Sequence, residues 1–198
     1  CCAADLVCGK QVSTACGTSR YGCRHRIYTP EPQEAIRNYT SAGGNLLVSG
    51  SYIGTDAWSY VYPVRRDPEE TAREREFCQS VLGFRWRTNF GSRTGTVRSV
   101  GGFNFRTTLA PFSFNTSLDR HIYKVDAPDG IIPAGPASRT VLRYCDSNVQ
   151  AGVLFNGGGY RCLSIGFPIE TITDPKTAED IMKSALDNII PTNKNKSL

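Results

Sequence analysis

The sequence predicts one α/β domain over 1–190: a mostly parallel sheet flanked by helices, with a β-rich insertion at 84–145 and a polar tail or linker at 191–198. Three observations predict it. Short apolar runs at "ADLVCGKQ" (4–11) and "NLLVSG" (45–50) read as buried strands. A helix signal lies between them, and a strand–helix–strand order with a buried second strand points to parallel pairing. Between 84 and 145 apolar and polar residues alternate and are broken by glycine, which is the period of half-exposed strands.

The first strand runs into a polar loop containing Gly17, Gly22 and the basic knot "RYGCRHR". Thr29 reads as a helix N-cap with Pro30 at the first helical position. That helix carries Ala35, Ile36 and Tyr39 and stops at Gly43-Gly44. The second strand then leads into the glycine-spaced loop "GSYIGTD" (50–56). A second helix begins at Asp67-Pro68, with Glu70 placed for a capping box. Its apolar side is narrow, so we expect it on the surface. "FRWRTNF", "GTVRSVGGFNFRTT" and "DRHIYKV" form the alternating insertion, and "PDGIIPAGPAS" (128–138) reads as a loop. "QAGVLFNGGGYRCLSIGFP" is a pair of strands joined by a tight glycine turn. The last helix starts at Asp174-Pro175. Ala178, Ile181, Met182, Ala185, Leu186, Ile189 and Ile190 form a wide apolar stripe along it.

Composition sets the class. With 198 residues, 39% hydrophobic and 21% charged, the chain is an ordinary globular one that can bury a sizeable core. No apolar run reaches the ~20 residues of a membrane span. No signal peptide is visible at Cys1, so we expect a processed chain or a piece of a longer one. The net charge of +5 comes from 17 Arg and 6 Lys. Arg is the better fork for carboxylates. Arg85, Arg87, Arg93, Arg98 and Arg106 fall in the strand-like stretch. They read as a solvated sheet face or as a surface for an acidic polysaccharide. The charge is spread along the chain and no nucleic-acid motif is present, so nucleic acid is not expected. The eight cysteines lack metal spacings, and the only histidines are His25 and His121. No metal and no cofactor are expected. Cys16–Cys23 is the local disulfide worth testing. Cys8, Cys145 and Cys162 read as small hydrophobes in strands.

Two stretches carry a resemblance. "AIRNYTSAGGNLLVSGSYIGTD" resembles the helix–Gly-Gly–strand–loop unit of the class I glutamine amidotransferase-like superfamily. "AGVLFNGGGYRCLSIGFPIETI" with the helix after it resembles the last hairpin and helix of the same domains. "CGKQ", "GGNLLVSGSYIGTD" and "GFPIET" together resemble a domain of large multi-domain proteins of Bacteroidota, labelled xanthan lyase or N-acetylmuramoyl-L-alanine amidase. The resemblance implies a flavodoxin-like sheet. It also implies a periplasmic or cell-surface setting, with other domains of the same polypeptide as neighbours.

An active member of that superfamily has a nucleophilic Cys on a Gly-x-Cys-x-Gly elbow, followed later by His and Glu. Here the elbow is Gly50-Ser51-Tyr52-Ile53-Gly54, and Pro168 stands where the family has His before Glu170. Proline carries no ionisable group, and a serine hydroxyl needs a base within reach. The expectation is therefore a catalytically degenerate domain: an accessory or binding module of an envelope-associated protein acting on polysaccharide or peptidoglycan. In a parallel sheet a ligand sits beyond the carboxyl ends of the strands. The candidate ligand-binding residues there are Lys10, Gln11, Ser49, Ser51, Tyr52, Asp56 and Glu170. Tyr52 offers a face for a sugar ring, and Asp56 and Glu170 accept from hydroxyls. A structural Lys10–Glu170 ion pair is the plainer reading of two of them. Two rivals stand beside this: a hydrolase or polysaccharide lyase using Ser51, and a structural oligomerisation domain.

Overall fold

The computed structural model describes residues 2–8, 11–17, 27–58, 67–100 and 110–190, the first two stretches by backbone alone. The described residues form ten strands and four helices. In chain order they are β1 (Cys2–Cys8), β2 (Gln11–Gly17), α1 (Pro30–Ser41), β3 (Leu46–Gly50), α2 (Thr55–Trp58), α3 (Pro68–Ser80), β4 (Phe84–Thr88), β5 (Thr96–Ser99), β6 (Phe112–Ser113), β7 (Gly130–Pro133), β8 (Ser138–Tyr144), β9 (Gln150–Gly157), β10 (Tyr160–Ile165) and α4 (Pro175–Ile189). A 3-10 turn at Ile169–Thr171 separates β10 from α4.

The expected flavodoxin-like parallel sheet is not what these strands form. Eight strands make one mixed sheet in the order β2-β1-β3-β10-β9-β8-β5-β6, and β4 and β7 pair separately. Only β3 and β10 run parallel; every other neighbouring pair is antiparallel. The cause lies at the first turn. Cys8 pairs with Gln11, so β1 folds straight back into β2 as a hairpin instead of feeding α1. β1 then lies antiparallel to β3, with Cys8 opposite Leu46 and Ala4 opposite Gly50. A run of apolar residues marks a strand but does not choose its neighbour or its direction. β5, β6 and β8, expected in a separate insertion, extend the main sheet.

Local chemistry explains the helix ends. Asp67 accepts from the Glu69 N–H with Pro68 next to it, and Asp174 accepts from the Thr177 N–H with Pro175 next to it. Each cap satisfies an N–H that the helix itself leaves open. Thr29 takes the N-cap position of α1 in extended geometry but makes no side-chain cap bond. Gly43 follows α1 with φ +84°, a conformation that glycine adopts without strain. The β9–β10 turn is Gly158-Gly159, both with positive φ, as a two-residue hairpin of that twist requires.

Two apolar layers cover the sheet. All five residues of β3 are buried, as expected of a strand packed on both faces. Leu47, Leu163 and Leu154 face a layer that includes Ile181, Ala185 and Ile189 of α4. Leu46, Val48, Val153 and Cys162 face the other, with Ile36 of α1, Phe77 and Cys78 of α3, and Phe84 and Ile131 of the β4–β7 pair. Alternate residues of one strand thus reach opposite layers. Truncating a fully buried leucine such as Leu163 removes about 2–5 kcal/mol from folding. α3, expected on the surface, buries Phe77, Cys78 and the carboxyl-bearing Glu74. No helix among the described residues is long and apolar enough to cross a membrane.

Candidate functional site

The parallel pair defines one end of the sheet. Ile165 lies opposite Ser49, so β3 and β10 finish together, and the loops at 51–54 and 166–168 leave side by side. The Ile169 N–H donates to Ser49 Oγ at 3.4 Å and ties the two exits to each other. Ser49 and Ser51 are both buried, Tyr52 is half-buried and Glu170 is exposed. Glu170 Oε1 accepts the Tyr123 hydroxyl. Asp56 is buried in α2, where its Oδ2 accepts the Ile27 N–H at 2.8 Å. The sheet end therefore gathers Ser49, Ser51, Tyr52 and Glu170, with Asp56 one short loop away.

Two expected members of the site are not gathered with them. Gln11 lies at the end of the sheet where Cys8 pairs with Leu46, four residues along β3 from Gly50. At about 3.3 Å per residue that is roughly 13 Å. Antiparallel β1 turns its carboxyl end away from the carboxyl ends of β3 and β10. Lys10 lies outside the described residues, as do Cys1, Cys23, His25 and Arg106. Cys8 and Cys16 are described by backbone alone, so the Cys16–Cys23 pairing falls outside too. Cys162 is buried as expected, but Cys145 is exposed, because β8 ends one residue earlier.

The residue that organises this sheet end is Asp129, which the sequence reading passed over. Its side chain is fully buried just before β7. Oδ2 accepts the Gly54 N–H at 2.6 Å and the Thr55 N–H at 2.9 Å. Oδ1 accepts the Thr55 hydroxyl, and the Trp86 indole N–H donates to that hydroxyl at 3.0 Å. The Asp129 N–H donates to the Gly166 carbonyl at 2.6 Å, and its own carbonyl accepts the Tyr144 hydroxyl at 2.8 Å. One residue thus joins the loops after β3 and β10 to β4, β7 and β8. Gly166 is required by this closeness: a Cβ there would stand 2.0 Å from the Asp129 carbonyl oxygen. Burial pushes the Asp129 carboxyl up to about 7, against the hydrogen bonds from Thr55 and Gly54 that favour its charged form. Sealed from solvent, it clamps these loops together. "PDGII" reads as an Asp-Gly turn, and nothing in the sequence alone marks it as buried.

Ser51 is buried in the loop that follows β3. Among the described residues no imidazole bonds to its hydroxyl. His121 is exposed, and its backbone N–H donates to Asp119 Oδ1 at 2.7 Å. Pro168 is buried and its carbonyl accepts the Thr171 hydroxyl at 2.6 Å. Cys78 and Cys162 are buried free thiols whose pKa burial pushes up, Cys162 to about 12, so both stay protonated at neutral pH. No cluster of three metal-ligating side chains occurs among the described residues. No protein-family model matches this chain, and no curated protein or solved structure is similar enough to it to count as a match.

Proposed function

We propose that this chain is a binding module of a larger envelope-associated protein that acts on polysaccharide or peptidoglycan, and that it holds a saccharide without turning it over. The observation that carries the reading is the use made of the polar groups at the sheet end. Asp56 and Asp129 accept backbone N–H groups from buried positions, and Ser49 accepts the Ile169 N–H. Committed in this way, these groups fix the backbone of the loops that carry Ser51 and Tyr52. Half-buried Tyr52 and the Tyr123–Glu170 pair offer aromatic rings and a carboxylate, groups that suit a sugar ring and its hydroxyls.

The test is a calorimetric titration with a soluble disaccharide-peptide fragment of peptidoglycan, followed by mass spectrometry of the ligand. Binding that weakens at least tenfold in Tyr52→Ala and Glu170→Gln, with the ligand recovered whole, is the expected result. Cleaved ligand, lost on Ser51→Ala, overturns the reading in favour of a hydrolase.

One observation favours a second reading, a structural oligomerisation domain. Among the described strands β2 lies at one edge of the main sheet, and its sequence carries neither a charge nor a proline. Charge and proline are two of the devices that stop edge strands from pairing between chains. Light scattering distinguishes the two: a monomer at tens of micromolar excludes assembly through this edge.

A further inference from the structure

Two arginines, Arg98 of β5 and Arg143 of β8, stand side by side on the face of the sheet turned away from α4, and Arg87 of the neighbouring β4–β7 pair joins them. Arg98 pairs directly with Arg143 across β5 and β8, and Arg143 pairs with Gln150 across β8 and β9. Directly paired residues share a face of the sheet. Val97 and Tyr144, their neighbours along the strands, face the apolar layer under α4, so the arginines face the other way. Arg87 of β4 donates to Gln150 Oε1 at 3.1 Å.

The three are held by neutral atoms. Arg98 donates to Asn148 Oδ1 at 2.8 Å and Arg143 to the Asn148 carbonyl at 2.7 Å. Among the described residues none of the three arginines has a carboxylate ion-pair partner. Like charges directly across antiparallel strands repel, with Cα atoms only about 4.5–5.5 Å apart. Asn148 is also the one non-glycine residue with positive φ among those described, at 56°. Asparagine tolerates that conformation better than most residues. Here it turns both its oxygens toward guanidinium groups. The acidic neighbour is Asp146, whose carboxylate accepts the N–H groups of Arg93, Thr94 and Ser147.

An aromatic ring lies on the adjoining loop. Phe90 is 63% exposed. Its loop is fastened to the same turn, because Ser147 donates to the Gly91 carbonyl and Asp146 holds Arg93 and Thr94. Guanidinium forks, exposed at Arg98 and Arg87 and half-buried at Arg143, with an exposed ring on the adjoining loop, suit a chain that carries both carboxylates and flat apolar faces.

We propose that Arg98, Arg143 and Arg87, with Phe90, form a binding surface for an acidic polysaccharide, the guanidinium groups taking its carboxylates and the ring stacking on a sugar. This rests on the reading of the chain as a polysaccharide-binding module and gives that reading a second surface, separate from Tyr52 and Glu170.

The test is the affinity of the whole chain for polygalacturonate, measured at low and at physiological salt. Arg98→Gln and Phe90→Ala are the variants, and Arg73→Gln on α3 removes one exposed charge elsewhere. Expected are a loss of at least tenfold in Arg98→Gln, about threefold or more in Phe90→Ala, and less than twofold in Arg73→Gln. Arg98→Lys keeps the charge without the fork and is expected to fall between. An equal loss in Arg73→Gln overturns the proposal, because net charge alone then explains binding. So does tighter binding of a single-stranded oligonucleotide through the same residues. If polygalacturonate does not bind while the peptidoglycan fragment still binds through Tyr52, this proposal fails and the function above stands. If polygalacturonate binds as expected and the fragment does not, the proposal stands and the sheet-end site fails.

Discussion

Raising the pH through neutrality takes the proton from Asp129 while its carboxyl remains sealed from water. Burial holds that carboxyl at about 7 in the folded protein, against an ordinary aspartate value near 3.8. The folded state therefore keeps a proton that the unfolded chain has already released. The stability this group contributes is complete below the unfolded value and is lost as pH rises toward 7. Each pH unit in that window is worth about 1.4 kcal/mol. Between pH 5 and pH 8 the loss covers roughly two units, or about 3 kcal/mol. The carboxylates whose pKa is lowered in the fold, Glu76, Asp119, Asp146, Asp174 and Glu179, act in the opposite sense and below this window. The assay is urea unfolding at pH 5, 6, 7 and 8. With a slope near 2 kcal/mol per molar urea, the midpoint is expected to fall by about 1.5 M across the series. Asp129→Asn keeps an acceptor for Gly54 and Thr55 without the ionisation, and its midpoint is expected to stay level. A level wild-type series, or a variant that keeps the wild-type slope, refutes the reasoning.

Other substitutions probe other links. Gly166→Ala forces a Cβ against the Asp129 carbonyl at 2.0 Å and is expected to cost about 3 kcal/mol or more, whereas Gly43→Ala meets nothing within 4 Å and is expected to cost about 1 kcal/mol through its positive φ alone. Tyr28 is 2% exposed and its hydroxyl has no hydrogen-bond partner among the described residues, so Tyr28→Phe is expected to stabilise by about 1 kcal/mol, read as a melting temperature some 2–4 °C higher. Asp174→Ala removes the cap on α4 and is expected to cost about 1 kcal/mol in urea unfolding. Ser51→Ala is expected to leave the chain's reaction with an activated ester unchanged; a covalent adduct on the wild-type protein that the variant lacks contradicts this.

Punctuation was the most legible part of the sequence. Asp67-Pro68 and Asp174-Pro175 begin helices because a carboxylate can cap and a proline needs no N–H partner there. Gly158-Gly159 turns a hairpin because two successive positive φ angles exclude most side chains. Strand direction was not legible. "ADLVCGKQ" reads as a strand either way, and only the pairing of Cys8 with Gln11 shows that it turns back at once. That reversal converts an expected parallel sheet into a mixed one and moves Gln11 to the far end from Ser49. Asp129 was hidden for another reason. An Asp-Gly pair in a proline-rich stretch has the same composition whether it lies at a solvated turn or under Trp86 and Tyr144. Arg87 and Arg98 were visible as residues of a strand-like stretch, but Arg143 was not singled out, and its place beside Arg98 depends on pairing between residues 45 apart.

The most direct measurement is an amide chemical-shift map recorded while the peptidoglycan fragment is added. Shifts concentrated at Ser51, Tyr52, Tyr123 and Glu170, saturating with the fragment intact in the same tube, are expected of a module that holds a saccharide at the sheet end. Resonances that stay still there, or new signals from a cut fragment, contradict it.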